Sequence, residues 1–205
     1  TRRTYNRPLE EGGFESWEQT VDRVIGHQAW LWNRAEAAPV ALEGELKELR
    51  QLMLDRKVLT SGRTLWLGGT EVAKKREASQ FNCSFTNIET VMDCVDALWL
   101  LLQGCGVGFR PIVGQLTGYQ KPIPKLTIKR SERTNKGGMA HNEETFDAAT
   151  GVWTIKVGDS AEAWAKSIGK LVAHKFPASE LVLDFTEIRP SGDRLAGYGW
   201  ISSGD

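Results

Sequence analysis

The feature that most restricts the fold is the run from Phe81 to Phe109, where a period of two gives way to a period of 3.6 and then to glycines. Phe81, Cys83 and Phe85 alternate with Asn82, Ser84 and Thr86, the pattern of a strand with two unlike faces. Thr90, with Asp93 three residues on, then starts a helix whose buried side is Val91, Val95, Leu98, Trp99 and Leu102. Gly104 ends that helix, and Gly104-Cys105-Gly106-Val107-Gly108-Phe109 follows as a glycine-rich loop. Strands and helices keep alternating downstream, which gives an α/β class.

Residues 1–15 read as a polar arm punctuated by glycine and proline. Ser16-Trp17-Glu18-Gln19 has the form of a capping box, and Trp17, Val21, Val24 and Ile25 continue it as a helix to about Trp32. Pro39 opens a second helix with the stripe Leu42, Leu46, Leu49 and Met53. Ser61 to Thr70, with glycines on either side of an apolar piece, predicts loop, short strand, loop. Residues 71–79 are charged and read as exposed. Lys125–Arg130, Val152–Val157 and Leu181–Phe185 read as strands, with a loop around Asn135-Lys136-Gly137-Gly138. Asp159 or Ser160 caps a helix carrying Trp164, Ile168 and Leu171.

Charge and cysteine content narrow the function. Lys plus Arg is 26 and Asp plus Glu is 26, so no basic face argues for nucleic acid or an anionic membrane. The longest apolar run, Ala97 to Leu102, is far short of the roughly 20 residues of a membrane span. Thr1-Arg2-Arg3 has no apolar core after its charges, so no signal peptide is read there. Three cysteines, Cys83, Cys94 and Cys105, suit neither a disulfide framework nor a zinc site, and a reducing compartment follows most simply. His27, His141 and His174 have no metal or triad spacing, so no metal site is expected.

Cys83 is the residue to single out, because a strand holds it rigidly between polar Asn82 and Ser84. The plain alternative is a small core residue between two phenylalanines. The glycines at 104–108 follow a helix, the wrong order for a dinucleotide fingerprint. They permit either a tight turn or close approach of backbone to a ligand. Cys94 reads as core and Cys105 as part of a flexible loop. Asp184 and Glu187 bracket a strand end and read as capping or ion-pair residues.

Taken in order, Ser61-Gly62-Arg63-Thr64-Leu65-Trp66 with Gly69-Thr70, Asn82-Cys83, Gly104 to Phe109, and Asp184-Phe185-Thr186-Glu187-Ile188-Arg189-Pro190 resemble the front half of a class II, adenosylcobalamin-dependent ribonucleotide reductase of the monomeric type. The likeness runs over residues 40–205. It implies the first half of a ten-stranded α/β barrel, a five-stranded parallel half-barrel with helices. That half-barrel takes 59–110 and 181–205, behind a helical region at 1–58 and around an inserted effector-binding region at 111–180.

The resemblance also implies roles. Cys83 matches one of two thiols that reduce the 2′ position of a ribonucleotide, forming a disulfide. Ser61, Arg63, Thr64, Asn82, Gly106, Val107 and Gly108 match segments near the substrate. Lys129, Arg130, Arg133 and Lys136 are candidates for the phosphates of a deoxynucleotide effector, with a solvated charge run as the alternative. The second redox cysteine, the radical cysteine with its Asn and Glu, and a carboxy-terminal cysteine pair all lie in the family beyond this sequence. The expectation is thus an amino-terminal portion needing a carboxy-terminal half, from a shortened or split gene. Adenosylcobalamin would be bound mainly by that half, and a thioredoxin-type reductant would reset the disulfide. The expected setting is cytoplasmic, or a host cytoplasm if phage-encoded. Two rivals stay open: a class I large-subunit fragment, and a non-catalytic fragment that only binds its complement.

Overall fold

The computed structural model describes residues 4–37, 39–130, 138–193, 195, 198, 201 and 202. These form two compact units, one from residues 1–82 with 196–199, the other from 83–195 with 200–205.

The first unit is helical. Helix α1 (Trp17–Arg34) begins at the expected capping box: Ser16 accepts from the Gln19 amide, and the Gln19 side chain accepts from Ser16. Helix α2 (Leu42–Leu54) has no side-chain cap and is held by packing instead. Val21, Val24, Met53 and Leu65 form its core with α1, and the Trp17 indole donates to the carbonyls of Met53 and Leu54.

Ser61–Thr70 is not loop, strand, loop. It contains helix α3 (Gly62–Leu67), because Ser61 Oγ accepts from the Thr64 amide and Leu65 and Leu67 are buried. Gly69 turns the chain out at φ +78, where a Cβ would lie 2.7 Å from the Arg23 carbonyl. Thr70 then caps helix α4 (Glu71–Lys75), followed by a 3-10 turn, Glu77–Gln80. The segment expected to be wholly exposed buries Ala73 and Ser79.

The amino-terminal arm is tied down. Pro8 and Phe14 form an antiparallel bridge, and Glu15 accepts from the Arg7 amide, Thr20 and Arg23. Arg23 also donates to the carbonyls of Leu65 and Gly68, so arm, α1 and α3 share one half-buried charge pair.

The second unit opens with strand β1 (Cys83–Ile88), helix α5 (Val91–Leu102) and strand β2 (Gly106–Pro111). Thr90 and Asp93 form a reciprocal capping box at the start of α5, as their spacing requires. The glycine run is a strand, not a loop. It pairs parallel to β1 with Cys83 opposite Gly106, Phe85 opposite Gly108 and Asn87 opposite Arg110. Parallel neighbours need a crossover, and α5 supplies it.

Strands β3 (Lys125–Lys129), β4 (Glu143–Asp147) and β5 (Val152–Lys156), helix α6 (Ala161–Ala173) and strand β6 (Glu180–Asp184) complete the unit. The sheet order is β3-β6-β5-β4, parallel except for the β4–β5 hairpin. β6 therefore joins strands of the 111–180 region. The expected grouping of 181–205 with 59–110 has no counterpart in the pairing of the described strands, because the alternating faces of β6 complete the same apolar layer as β5.

That layer is Trp153, Ile155, Val157, Leu181 and Leu183, closed by a Phe146–Phe176 stack at 4.8 Å. α6 packs on α5 at Gly169, where a Cβ would stand 2.6 Å from Val95. Asn142 joins the pieces: its amide donates to the Ala163 carbonyl and Ser167, and its oxygen accepts from the Gly158 amide. Mixed α/β architecture with parallel pairing is thus as expected. Among the described residues no helix is long and apolar enough to cross a membrane.

Candidate functional site

Cys83 is exposed, which removes the reading of it as a core residue. It is the first residue of β1, and pleating puts Cys83, Phe85 and Asn87 on one face and Ser84, Thr86 and Ile88 on the other. The second face lies toward the interior, where Ile88 is buried. The first face is open, and Phe85 is 68% exposed on it. Apolar side chains thus stand on the solvent side, the reverse of an ordinary half-buried strand. Gly106 and Gly108 lie across from Cys83 and Phe85, and a Cβ at Gly108 would meet the Phe85 ring at 2.9 Å. Glycine there lets the ring lie flat on β2 and leaves backbone bare beside the thiol. Val107, between the two glycines, faces inward and is half-buried.

In the first unit, Ser61 and Thr64 sit at the start of α3, their hydroxyl oxygens 3.1 Å apart. Arg63, in the first turn, donates from Nε to Asn82 Oδ1 at 3.2 Å. The fold therefore gathers Ser61, Arg63, Thr64 and Asn82 in one unit, and Cys83, Gly106, Val107 and Gly108 in the other, with the Asn82–Cys83 peptide bond as the covalent join.

The other cysteines differ. Cys105 is buried at 4% exposure rather than set in a flexible loop, because β2 begins directly after it. Half-buried Cys94 lies with Sγ 2.8 Å from the Tyr119 hydroxyl. That bond, with burial and the charge of Asp93, pushes the Tyr119 phenol up to about 12. All three cysteines are free thiols. Cys105 is buried next to the residue paired with Cys83, whereas Cys83 is exposed, and the two thiols are not joined.

Of the effector candidates, Lys129 is in an ion pair with Asp184 at 2.9 Å, and Arg130 is exposed just past β3. Arg133 and Lys136 lie outside the described residues. Burial opposes ionisation of Asp184, but Lys129 and the Thr186 amide and hydroxyl outweigh it and hold the carboxyl below its usual range. Glu187 pairs with Lys156 at 2.9 Å, so both acids bracketing β6 are ion-pair residues as read. His27 is buried, and burial with the charges of Arg23 and Lys74 lowers its pKa. His174 bonds the Lys121 carbonyl. Among the described residues no three His, Cys, Asp or Glu side chains cluster as metal ligands.

Sequence reasoning missed a cleft of about 510 Å³ lined by Val91, Met92, Val95, Thr117, Gly169 and Ala173 with Lys166 and Lys170 at its sides. The small residues Gly118 and Gly169 were its only sequence signal.

Residues 1–70 match the ribonucleotide reductase alpha domain family. The chain is 28% identical to an adenosylcobalamin-dependent ribonucleoside-triphosphate reductase of Lactobacillus acidophilus, over 99% of this chain and 33% of that protein. It is also 28% identical to a putative enzyme of the same name from Mycobacterium phage D29, over 98% of this chain and 30% of that protein. A crystal structure of a B12-dependent (class II) ribonucleotide reductase superposes with a TM-score of 0.76 at 26% identity, covering 99% of this chain and 34% of that one. The chain spans about a third of the length of the relatives it matches. Over nearly its whole sequence, then, the chain is similar to part of the class II, adenosylcobalamin-dependent ribonucleotide reductases.

Proposed function

We propose that this chain supplies the amino-terminal, Cys83-bearing part of a ribonucleotide reductase, and that the Cys83 thiol is one of the two that reduce the substrate. The supporting observation is the exposed Cys83 on the open face of a parallel strand pair, opposite bare glycine backbone. At the 2′ carbon a C–O bond breaks and the oxygen leaves as water. Two thiols provide two electrons and their protons, and end as a disulfide. The family resemblance implies that the second sulfur comes from residues outside this sequence.

In this reading, as the family resemblance implies, Ser61, Thr64 and Asn82 of the first unit, and separately Gly106, Val107 and Gly108 of the second, are nucleotide contacts. β1 and β2 are the first strands of a parallel half-barrel. No third strand pairs with either among the described residues, so both carry unpaired edge groups of the kind a further strand would satisfy. A carboxy-terminal half provides that strand, and a thioredoxin-type protein reduces the disulfide. A deoxynucleotide effector, if it meets Lys129, must compete with Asp184 for the ammonium.

Adenosylcobalamin supplies radical chemistry to enzymes of this name. The described residues do not fit it by themselves: the face carrying Cys83 is open, and the cleft of about 510 Å³ includes neither Cys83 nor its neighbours. In this reading its site lies mainly in the rest of the family's length.

The test combines this chain with a polypeptide carrying the remaining two thirds, ribonucleoside triphosphate, adenosylcobalamin and a dithiol. Deoxynucleotide should form only with cobalamin, and Cys83→Ser should lower turnover by about 10³-fold or more. Undiminished turnover in that variant would end the proposal. Turnover without cobalamin would point to class I chemistry.

A further inference from the structure

We infer that Arg63 is a positioning residue that locks the Asn82 carboxamide, so that the residue before Cys83 offers only N–H donors and selects an oxygen acceptor of the ribonucleotide. This deepens the reductase reading and rests on it.

The argument is one of donors and acceptors. A guanidinium carries five N–H donors and no acceptor, whereas a carboxamide has a donor end and an acceptor end. Arg63 Nε lies 3.2 Å from the Asn82 carboxamide. Only one orientation of that group makes a bond there: the reverse would set N–H against N–H. The choice between Oδ1 and Nδ2, usually ambiguous because the atoms look alike, is thus fixed by the chemistry of the neighbour. Arg63 is itself anchored, since it sits in the first turn of α3, which Ser61 caps and buried Leu65 and Leu67 hold.

A carboxamide free to flip recognises donors and acceptors alike. One locked through its oxygen presents two N–H groups, which suit a ribose or phosphate oxygen. Asn82 is exposed, so those groups are accessible. The locking costs little at binding, because the orientation is already set before the nucleotide arrives.

The test is a double-mutant cycle in the reductase that carries this sequence with the rest of the family's length. Arg63→Met keeps the length of the side chain and removes the donor; Arg63→Lys keeps a donor-only head. Arg63→Met should raise KM for the ribonucleotide roughly three- to tenfold, a larger effect than on kcat. Arg63→Lys should recover most of the loss. In an Asn82→Ala background the KM effect of Arg63→Met should be much smaller. The Ki of the 2′-deoxy product separates the two acceptors: it rises with KM for a phosphate oxygen and stays level for the 2′ oxygen, and either result supports the inference. Equal effects of Arg63→Met with and without Asn82, or no change in KM, would overturn it. A wild-type protein without reductase activity would sink the functional reading itself, a result distinct from both.

Discussion

Two parallel strand pairs in the second unit bury their apolar residues in opposite ways. In β5 and β6, Trp153, Ile155, Leu181 and Leu183 form a sealed layer, and Trp153 is 0% exposed. In β1, Phe85 stands in solvent on the face of the exposed thiol, and Phe109 of β2 is exposed as well, on the other face. The sequences do not announce the difference, since both β1 and β5 alternate with period two. The sealed pair satisfies its own burial and serves stability. The open pair leaves apolar area unspent, which marks a surface meant for ligand or partner.

The sharpest way to break this contrast is thiol labelling under native conditions. Cys83 should react with an aromatic disulfide at once, and Cys105 about 10³-fold or more slower, through opening of the fold. Comparable rates, read by peptide mass mapping, would show that the β1–β2 unit is not formed as described. Next comes truncation of the two aromatic faces. Trp153→Ala should cost about 3–5 kcal/mol in denaturant unfolding, whereas Phe85→Ala should cost under about 1 kcal/mol. A large cost at Phe85 would mean that its face is closed in the isolated chain.

The smallest effect concerns pH. The Asp184 carboxyl is held below its ordinary range when folded, so the ionised form is favoured by folding. Its contribution is present above the unfolded carboxylate value and fades as pH falls through the lower folded value. Asp184→Asn should therefore lose about 1 kcal/mol near neutrality and show a flatter acid limb than the wild type. A variant that keeps the wild-type acid limb would remove the Lys129–Asp184 pair as a structural tie.

What could be read from the residues alone was whatever local chemistry decides. Ser16 with Gln19 and Thr90 with Asp93 announced their helices because a cap needs only three residues of context. β1 was legible from alternation, β3, β5 and β6 as short strand-like runs, and the family likeness from motif order. α3, the α4 helix and 3-10 turn after it, β2 and β4 were not legible. α3 is six residues long, too short for a periodic stripe, and its flanking glycines looked like loop punctuation. β2 carries glycines that weaken strand propensity, and becomes a strand only through its pairing with β1. β4, Glu143–Asp147, is a charged edge strand fixed by its hairpin with β5. At the candidate site, alternation named the two faces of β1 but not which one meets water. That choice is made by α5, which no local pattern in β1 encodes.

The position of β6 bears on how the polypeptide matures. It is the last of the described strands, yet it lies inside the sheet, with β3 on one side and β5 on the other. Lys125–Lys129 pairs only with residues some fifty positions later, so on the ribosome β3 has nothing to hydrogen-bond until Glu180–Asp184 emerges. The hairpin of β4 and β5 can form early, but the central seat stays vacant until the final strand slides in, and loop-closure entropy makes that the slow event. Synthesis halted before residue 180 would leave β3 and β5 as unsatisfied edges, material for quality-control proteases rather than a partly working domain.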